Sequence, residues 1–194
     1  LIILTRQGYI KKTALASFSN IRANGIIAIS LEERHQLRWV RLDRSFDSVI
    51  IGSRQGMTIH FKSDGQQLRP LGRSTRGVRA MKLRKGDELI SMDILPSQIV
   101  AKIEAEGEAE EDDNLEVEEL ALEEANQGPW VLAITKGGYG KRVPVSKFRL
   151  QKRAGMGVRA IKFRIKNDCL TAIHVVNQGE QFMIVTSRGI IIRQ

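Results

Sequence analysis

The residues whose chemistry could be catalytic are two tyrosines, a glycine-rich turn, one acidic pair, a single cysteine and three histidines, and their spacing argues against each in turn. Tyr9 and Tyr139 offer phenolic nucleophiles, yet counted from the glycine before each they stand where two similar segments have Met57 and Ile190. A position that accepts Met and Ile is a packing position. Gly137, Gly138 and Gly140 ahead of Lys141 look like a phosphate loop, but the pattern closing on Lys and Ser or Thr is missing, so they read as turn glycines. Asp87 and Glu88 sit in the turn RKGDEL, and Cys169 adjoins a strand start, where packing is the expected role. His35, His60 and His174 lie far apart with no second cysteine near them, so no zinc pattern and no intrachain disulfide exist. Neither a catalytic residue nor a metal ligand is expected.

Charge is the remaining chemistry. The 194 residues hold 31 Lys and Arg against 22 Asp and Glu, and 12 of the acidic side chains fall within residues 97–129 beside one cation, Lys102. The rest of the chain carries 30 basic and 10 acidic residues, an excess of +20. Such an excess attracts a polyanion, with nucleic acid ahead of an anionic membrane surface. No run approaches the roughly 18 apolar residues of a membrane span. The opening LIILTRQGYI lacks the order of a signal peptide, and cysteine usage fits a reducing compartment.

The elements that must hold these cations repeat. LIILTRQGYIKK, VIIGSRQGMTIHFK from Val49, VLAITKGGYGKR from Val131 and FMIVTSRGIIIR from Phe182 each place two apolar runs around Gly8, Gly56, Gly138 or Gly189, the pattern of a β-hairpin. A second segment, NGIIAISL from Asn24, RGVRAMKL from Arg76 and MGVRAIKF from Met156, has its glycine 17, 21 and 19 residues after the first three hairpin glycines. Its apolar positions lie two apart, as in a strand with one buried face. LRWVRL from Leu37, LISMDIL from Leu89 and LTAIHVV from Leu170 close the units. Four strands per unit make a propeller blade. The chain is therefore expected to be all-β, a β-propeller of three blades plus the opening hairpin of a fourth. Residues 1–96 hold two blades, 97–129 an acidic inter-blade insertion and 130–194 one blade and the start of the next. The insertion, EAEGEAEEDDNLEVEELALEEA, is rich in charge and poor in β-formers, so a solvated, disordered linker is expected, either an inert solubilising loop or a polyanion that competes with DNA for the basic surface. Both ends fall inside apolar strand-like runs, as expected of a piece of a longer protein.

The wording and order of TRQGYIKKTALASFSNIRANGIIAI, STRGVRAMKL, TKGGYGKRVPVSKF, GMGVRAIKF and FMIVTSRGIIIR resemble middle-to-late blades of the C-terminal domain of DNA gyrase A subunits. The resemblance covers all but the acidic insertion and implies a β-pinwheel, a propeller variant with strand exchange between hairpins, whose basic rim bends duplex DNA. It implies a non-catalytic part of an ATP-driven type II topoisomerase that supports negative supercoiling. ATP and Mg2+ are then used by other domains, the partners are double-stranded DNA and the rest of the gyrase A and B subunits, and the location is bacterial cytoplasm or an organellar stroma. The family's Gly-and-Arg-rich first-blade box is not in this sequence, so the resemblance implies that the first two blades are expected upstream of Leu1. The loops equivalent to the box, 20–25, 71–77 and 151–157, all carry cations. Lys11, Lys12, Arg22, Arg73, Arg76, Lys141, Arg142, Lys152 and Arg153 are accordingly the expected phosphate contacts. The corresponding domain of topoisomerase IV is the nearest alternative, and a propeller that serves only as a protein-interaction platform is the alternative from another class.

Overall fold

The computed structural model describes residues 1–44, 46–101 and 128–194, so the expectations for residues 102–127 of the acidic segment, its disorder and its competition with DNA, lie outside the described residues. The four glycine turns close four antiparallel hairpins: β1 (Ile2–Thr5) with β2 (Tyr9–Lys12), β4 (Ser48–Ser53) with β5 (Met57–Lys62), β8 (Trp130–Thr135) with β9 (Gly140–Pro144), and β12 (Met183–Val185) with β13 (Ile191–Arg193). The closing runs form β3 (Leu37–Arg41), β7 (Leu89–Leu95) and β11 (Leu170–Val176), which pair antiparallel with β1, β4 and β8. Each of these pairings slips register near the turn, at Leu4/Thr5, Gly52/Ser53 and Leu170/Ala172.

The remaining strands correct the simplest reading of the repeat. Val78–Arg79 (β6) and Val158–Arg159 (β10) do not join the hairpins of their own units: β6 pairs with β2 and β10 with β5, each one repeat earlier. The sheets are therefore ordered β3-β1-β2-β6 and β10-β5-β4-β7, while β11-β8-β9 carries three strands. This is the strand exchange that the resemblance implied. The equivalent segment 24–31 forms no strand, since no earlier hairpin among the described residues offers it an edge.

A glycine sits at each crossing because two backbones meet there. Gly77 has φ +95°, and a Cβ on it would lie 2.5 Å from the carbonyl oxygen of Ile10; Gly157, with φ +74°, would bring one closer still to the Thr58 carbonyl. Just beyond, Ala80 N–H donates to Gly8 O and Ala160 N–H to Gly56 O, 2.8 and 2.9 Å away, which seals the exchanged segment onto the earlier turn.

Two cores lie between successive blades. Val49 and Ile51 of β4 join Ile2, Leu4, Ile10 and Met81 in the first, while Ile50 points the other way to join Val131, Ala133, Ile161 and Ile173 in the second. The central blade is thus buried on both faces, and each fully buried Ile contributes about 1.5–3 kcal/mol. Residues 97–101, counted with the acidic segment by composition, form a helical turn that sets Val100 in the second core. An ion cluster ties the hairpin turns together: Arg6 reaches both Glu88 carboxylate oxygens at 2.7 Å, and Arg54 reaches one at 3.2 Å.

Gly77→Ala and Gly157→Ala are each expected to lower unfolding free energy in urea by more than about 3 kcal/mol, a loss at the severe end for single substitutions. Gly25→Ala, with φ +76° and no atom within 4 Å of the place its Cβ would take, carries only the left-handed strain of about 1–2 kcal/mol. The hydrogen bond from Arg6, with the charges of Arg6 and Arg54 behind it, holds the Glu88 carboxyl below its ordinary 4.5 against the opposing effect of partial burial. A depressed carboxyl stabilises the fold above its unfolded value and stops doing so as pH falls through its folded value. The stability difference between the parent chain and Glu88→Gln, followed by urea unfolding across pH, is therefore expected to be full near neutrality and to shrink below pH 4.5.

Candidate nucleic-acid interface

β7 packs along β11 and β3 against β7, so these strands form the inner edges of the blades. β6 and β10 stand at the opposite edges and form the periphery. From β6 onward Ala80 and Met81 are buried while Arg79, Lys82, Arg84 and Lys85 face solvent; from β10 onward Ala160 and Ile161 are buried while Arg159, Lys162, Arg164 and Lys166 face solvent. In the first unit the corresponding positions are Ile27, Ser30, Glu32 and Glu33, with no cation among them. The peripheral basic track therefore belongs to the exchanged segments of the second and third units.

None of these eight peripheral cations was among the expected phosphate contacts, although a signal was present. GVRAMKLRK and GVRAIKFRIK repeat their cations in step with buried apolar residues.

The nine expected contacts divide into groups. Lys11 is a correction: it is fully buried, and its Nζ donates to the carbonyls of Gly72, Arg73 and Thr75 at 2.9, 2.6 and 3.2 Å. Burial pulls its ammonium below the usual lysine value. Lys12 is partly exposed and already engaged: its Nζ bonds the buried Asp43 carboxylate at 2.5 Å and Ser63 O at 2.8 Å. Arg153 is partly exposed as well: its Nε donates to Gln67 O at 2.7 Å and a terminal nitrogen to Arg79 O at 3.2 Å, clamping loop 151–157 to the preceding unit. All three cations hold loops in place; Lys11 is enclosed, while Lys12 and Arg153 keep part of their surface in solvent.

Arg22 and Lys152 are exposed and Arg73 is half-buried, each without a side-chain hydrogen bond or ion pair among the described residues. Arg76 is exposed but pairs with Glu32 and lies 4.7 Å from the centre of the Tyr9 ring. Lys141 and Arg142 are exposed on β9, whose outer edge carries no exchanged strand among the described residues. Lys141 holds the register position of the buried Lys11, so its exposure belongs to that open edge. Arg142 stacks 5.0 Å from the Trp130 ring.

The tyrosines act as platforms for cations. Tyr9 receives Arg76 and, at 5.7 Å, Arg79, and Tyr139 receives Arg164 at 5.9 Å. Asp87 and Asp168 serve equivalent turns: Asp87 Oδ1 accepts from Gln55 N–H and Glu88 N–H at 3.0 and 2.9 Å, and Asp168 Oδ1 accepts from Gly137 N–H and Cys169 N–H at 2.9 and 2.8 Å.

A family model described as the DNA gyrase C-terminal domain, beta-propeller, matches residues 1–42, 47–96 and 129–177. The DNA gyrase A protein of Synechocystis sp. is 63% identical over 195 residues, which cover 100% of this chain and 23% of that protein. The chloroplastic/mitochondrial DNA gyrase A protein of Nicotiana benthamiana is 39% identical over 201 residues, covering 100% of this chain and 20% of that protein. Among solved structures, the C-terminal domain of DNA topoisomerase IV superposes with a TM-score of 0.78 at 18% identity, covering 100% of this chain and 51% of that one. The DNA gyrase A C-terminal domain superposes with a TM-score of 0.73 at 22% identity, covering 99% of this chain and 54% of that one. The structural likenesses speak for the fold, and the chain spans less than a quarter of the length of these curated relatives. With sequence match, strand exchange and blade order in agreement, the chain belongs to the DNA gyrase C-terminal domain family of β-propellers.

Proposed function

We propose that this chain is a non-catalytic DNA-wrapping module of gyrase A, whose basic periphery bends duplex DNA to support ATP-driven negative supercoiling by the whole enzyme. The observation that carries the reading is the repeated outward row of Arg79, Lys82, Arg84 and Lys85 in one exchanged segment and Arg159, Lys162, Arg164 and Lys166 in the next. Arg22, Arg73 and Lys152 in the box-equivalent loops extend it. Cations of this kind engage phosphates without reading bases, and sequence enters through the deformability of the duplex. Wrapping needs a convex edge with charge at regular intervals, as peripheral strands of successive blades provide.

Duplex DNA is the direct partner in this reading, and within the assembly the partners are the rest of gyrase A together with gyrase B. ATP and Mg2+ act in other domains. Among the described residues no group of three or more His, Cys, Asp or Glu converges as a metal site, and no helix is long and apolar enough to cross a membrane. The relatives named above are bacterial and organellar proteins, which supports bacterial cytoplasm or an organellar stroma as the location. A platform for protein partners alone would have no need of this cation row.

Fluorescence anisotropy with unrelated duplexes is expected to give similar affinities and, with roughly 6 phosphates engaged, a log-log salt slope of about −5. Replacing Arg79, Lys82, Arg159 and Lys162 together by Gln is expected to weaken every duplex alike and to make the slope shallower by about one per lost contact. Relaxing closed circular DNA with a nicking-closing enzyme in the presence of the protein is expected to leave a changed linking number, lost in the same variant. A slope near zero, or weakening confined to one sequence, overturns phosphate-dominated binding; an unchanged linking number overturns wrapping.

A further inference from the structure

The inner edges of the blades carry a second cationic feature, on the side of each sheet away from β6 and β10. A cavity of about 280 Å³ opens among β3, β7 and β11 at the hairpin-turn end, and Arg6, Arg38, Arg54 and Lys136 reach its wall against one carboxylate, Glu88. Arg6, Arg54 and Lys136 are the same position of successive repeats, each two residues before the turn glycine.

Backbone hydrogen bonds place Glu88 and Cys169 in register as well. Arg54 N–H donates to Glu88 O and Lys136 N–H to Cys169 O, both at 2.8 Å; Leu89 N–H donates to Arg6 O and Leu170 N–H to Arg54 O, both at 2.9 Å. At the first blade interface, then, a carboxylate stands between the repeat cations Arg6 and Arg54. At the second, the repeat cations Arg54 and Lys136 meet a thiol at that position. Neither Lys136 nor Arg38 has a side-chain hydrogen bond or ion pair among the described residues, and Arg54 shares Glu88 with the more closely bound Arg6.

We propose that this cavity binds a small phosphate anion beside Cys169, held by Arg54 and Lys136 as Glu88 is held by Arg6 and Arg54, with Arg38 adding charge at the wall. The protein already shows what such a site recognises, because its own oxyanion occupies the equivalent place one blade earlier. A guanidinium fork and an ammonium together suit the several acceptor oxygens of a phosphate. The volume admits phosphate or pyrophosphate, at the small end of ligand pockets, and excludes a base-paired strand. An anion there also adds to the negative charge that Glu88 sets against Arg54 and Asp168 sets against Lys136.

Cys169 is the chain's single cysteine and reports on the site. In the longest natural chain that contains these residues, its alkylation by iodoacetamide is followed by mass spectrometry of the Cys169 peptide at constant ionic strength. Saturating pyrophosphate is expected to slow the reaction about tenfold, by covering the thiol, and inorganic phosphate to do so at higher concentration. Lys136→Gln, on an exposed turn, is expected to abolish the protection and Lys136→Arg to retain it. Cys169→Glu, which recreates the carboxylate of the neighbouring interface, is expected to remove one bound pyrophosphate per chain in equilibrium dialysis. Alkylation indifferent to pyrophosphate, protection that survives Lys136→Gln, or undiminished binding by Cys169→Glu overturns the proposal. Equal protection by duplex DNA overturns it too, by making the cavity part of the duplex path.

Discussion

The first two blades are each completed by a strand from the next repeat, and that exchange depends on a backbone crossing that only glycine permits. At Gly77 and Gly157 the chain passes so near the carbonyls of Ile10 and Thr58 that any Cβ would displace main chain. Past the crossing, two residues pair with the earlier hairpin, and the following alanine N–H reaches the earlier turn glycine. Ala80 and Met81, then Ala160 and Ile161, enter the cores between blades from this anchored position. Their alternation with solvent-facing cations follows from the same anchoring. The peripheral row of charge is thus a consequence of the join that holds neighbouring blades together.

The basic residues divide according to what surrounds them. Lys11 is removed from water and compensated by three carbonyls of the loop that carries Arg73. Since the effective cost of dehydrating an ion is several kcal/mol, an ammonium in that position is committed to the loop. Lys12 and Arg153 stay partly exposed and are held by Asp43 and by the carbonyls of Gln67 and Arg79. An exposed cation such as Lys82 or Lys162 forgoes little internal interaction on meeting a phosphate, because surface ion pairs contribute only about 0–1 kcal/mol. Structural cations cluster where one repeat's loop meets the preceding hairpin, and available ones lie along the exchanged segments.

The first unit differs from its successors in a related way. Its segment 24–31 carries no cations at the positions that hold the peripheral cations of the later units, and Glu32 pairs with Arg76. At the inner edge the units differ again, with Gln36, Glu88 and Cys169 at one register position beside a constant row of Arg or Lys. A repeat that preserves backbone geometry can therefore vary its electrostatics one blade at a time, because the hydrogen bonds that define the register come from main-chain atoms.

The residues alone were enough to establish the hairpins, their period, the all-β class and the excess of positive charge. Those features rest on local rules: Gly at φ > 0 in turns, alternation of apolar residues, and counts of ionisable groups. Family resemblance added the exchange of strands, which periodicity had assigned to each unit's own blade. Tertiary structure decided which cations are available. Lys11 and Lys152 look alike as members of basic loops, but one is enclosed by carbonyls 61 to 64 residues away and the other faces solvent. Arg153 is drawn inward by Gln67, 86 residues earlier. Desolvation and hydrogen bonding act through space between repeats, so the fate of each charge was settled only when the blades came together.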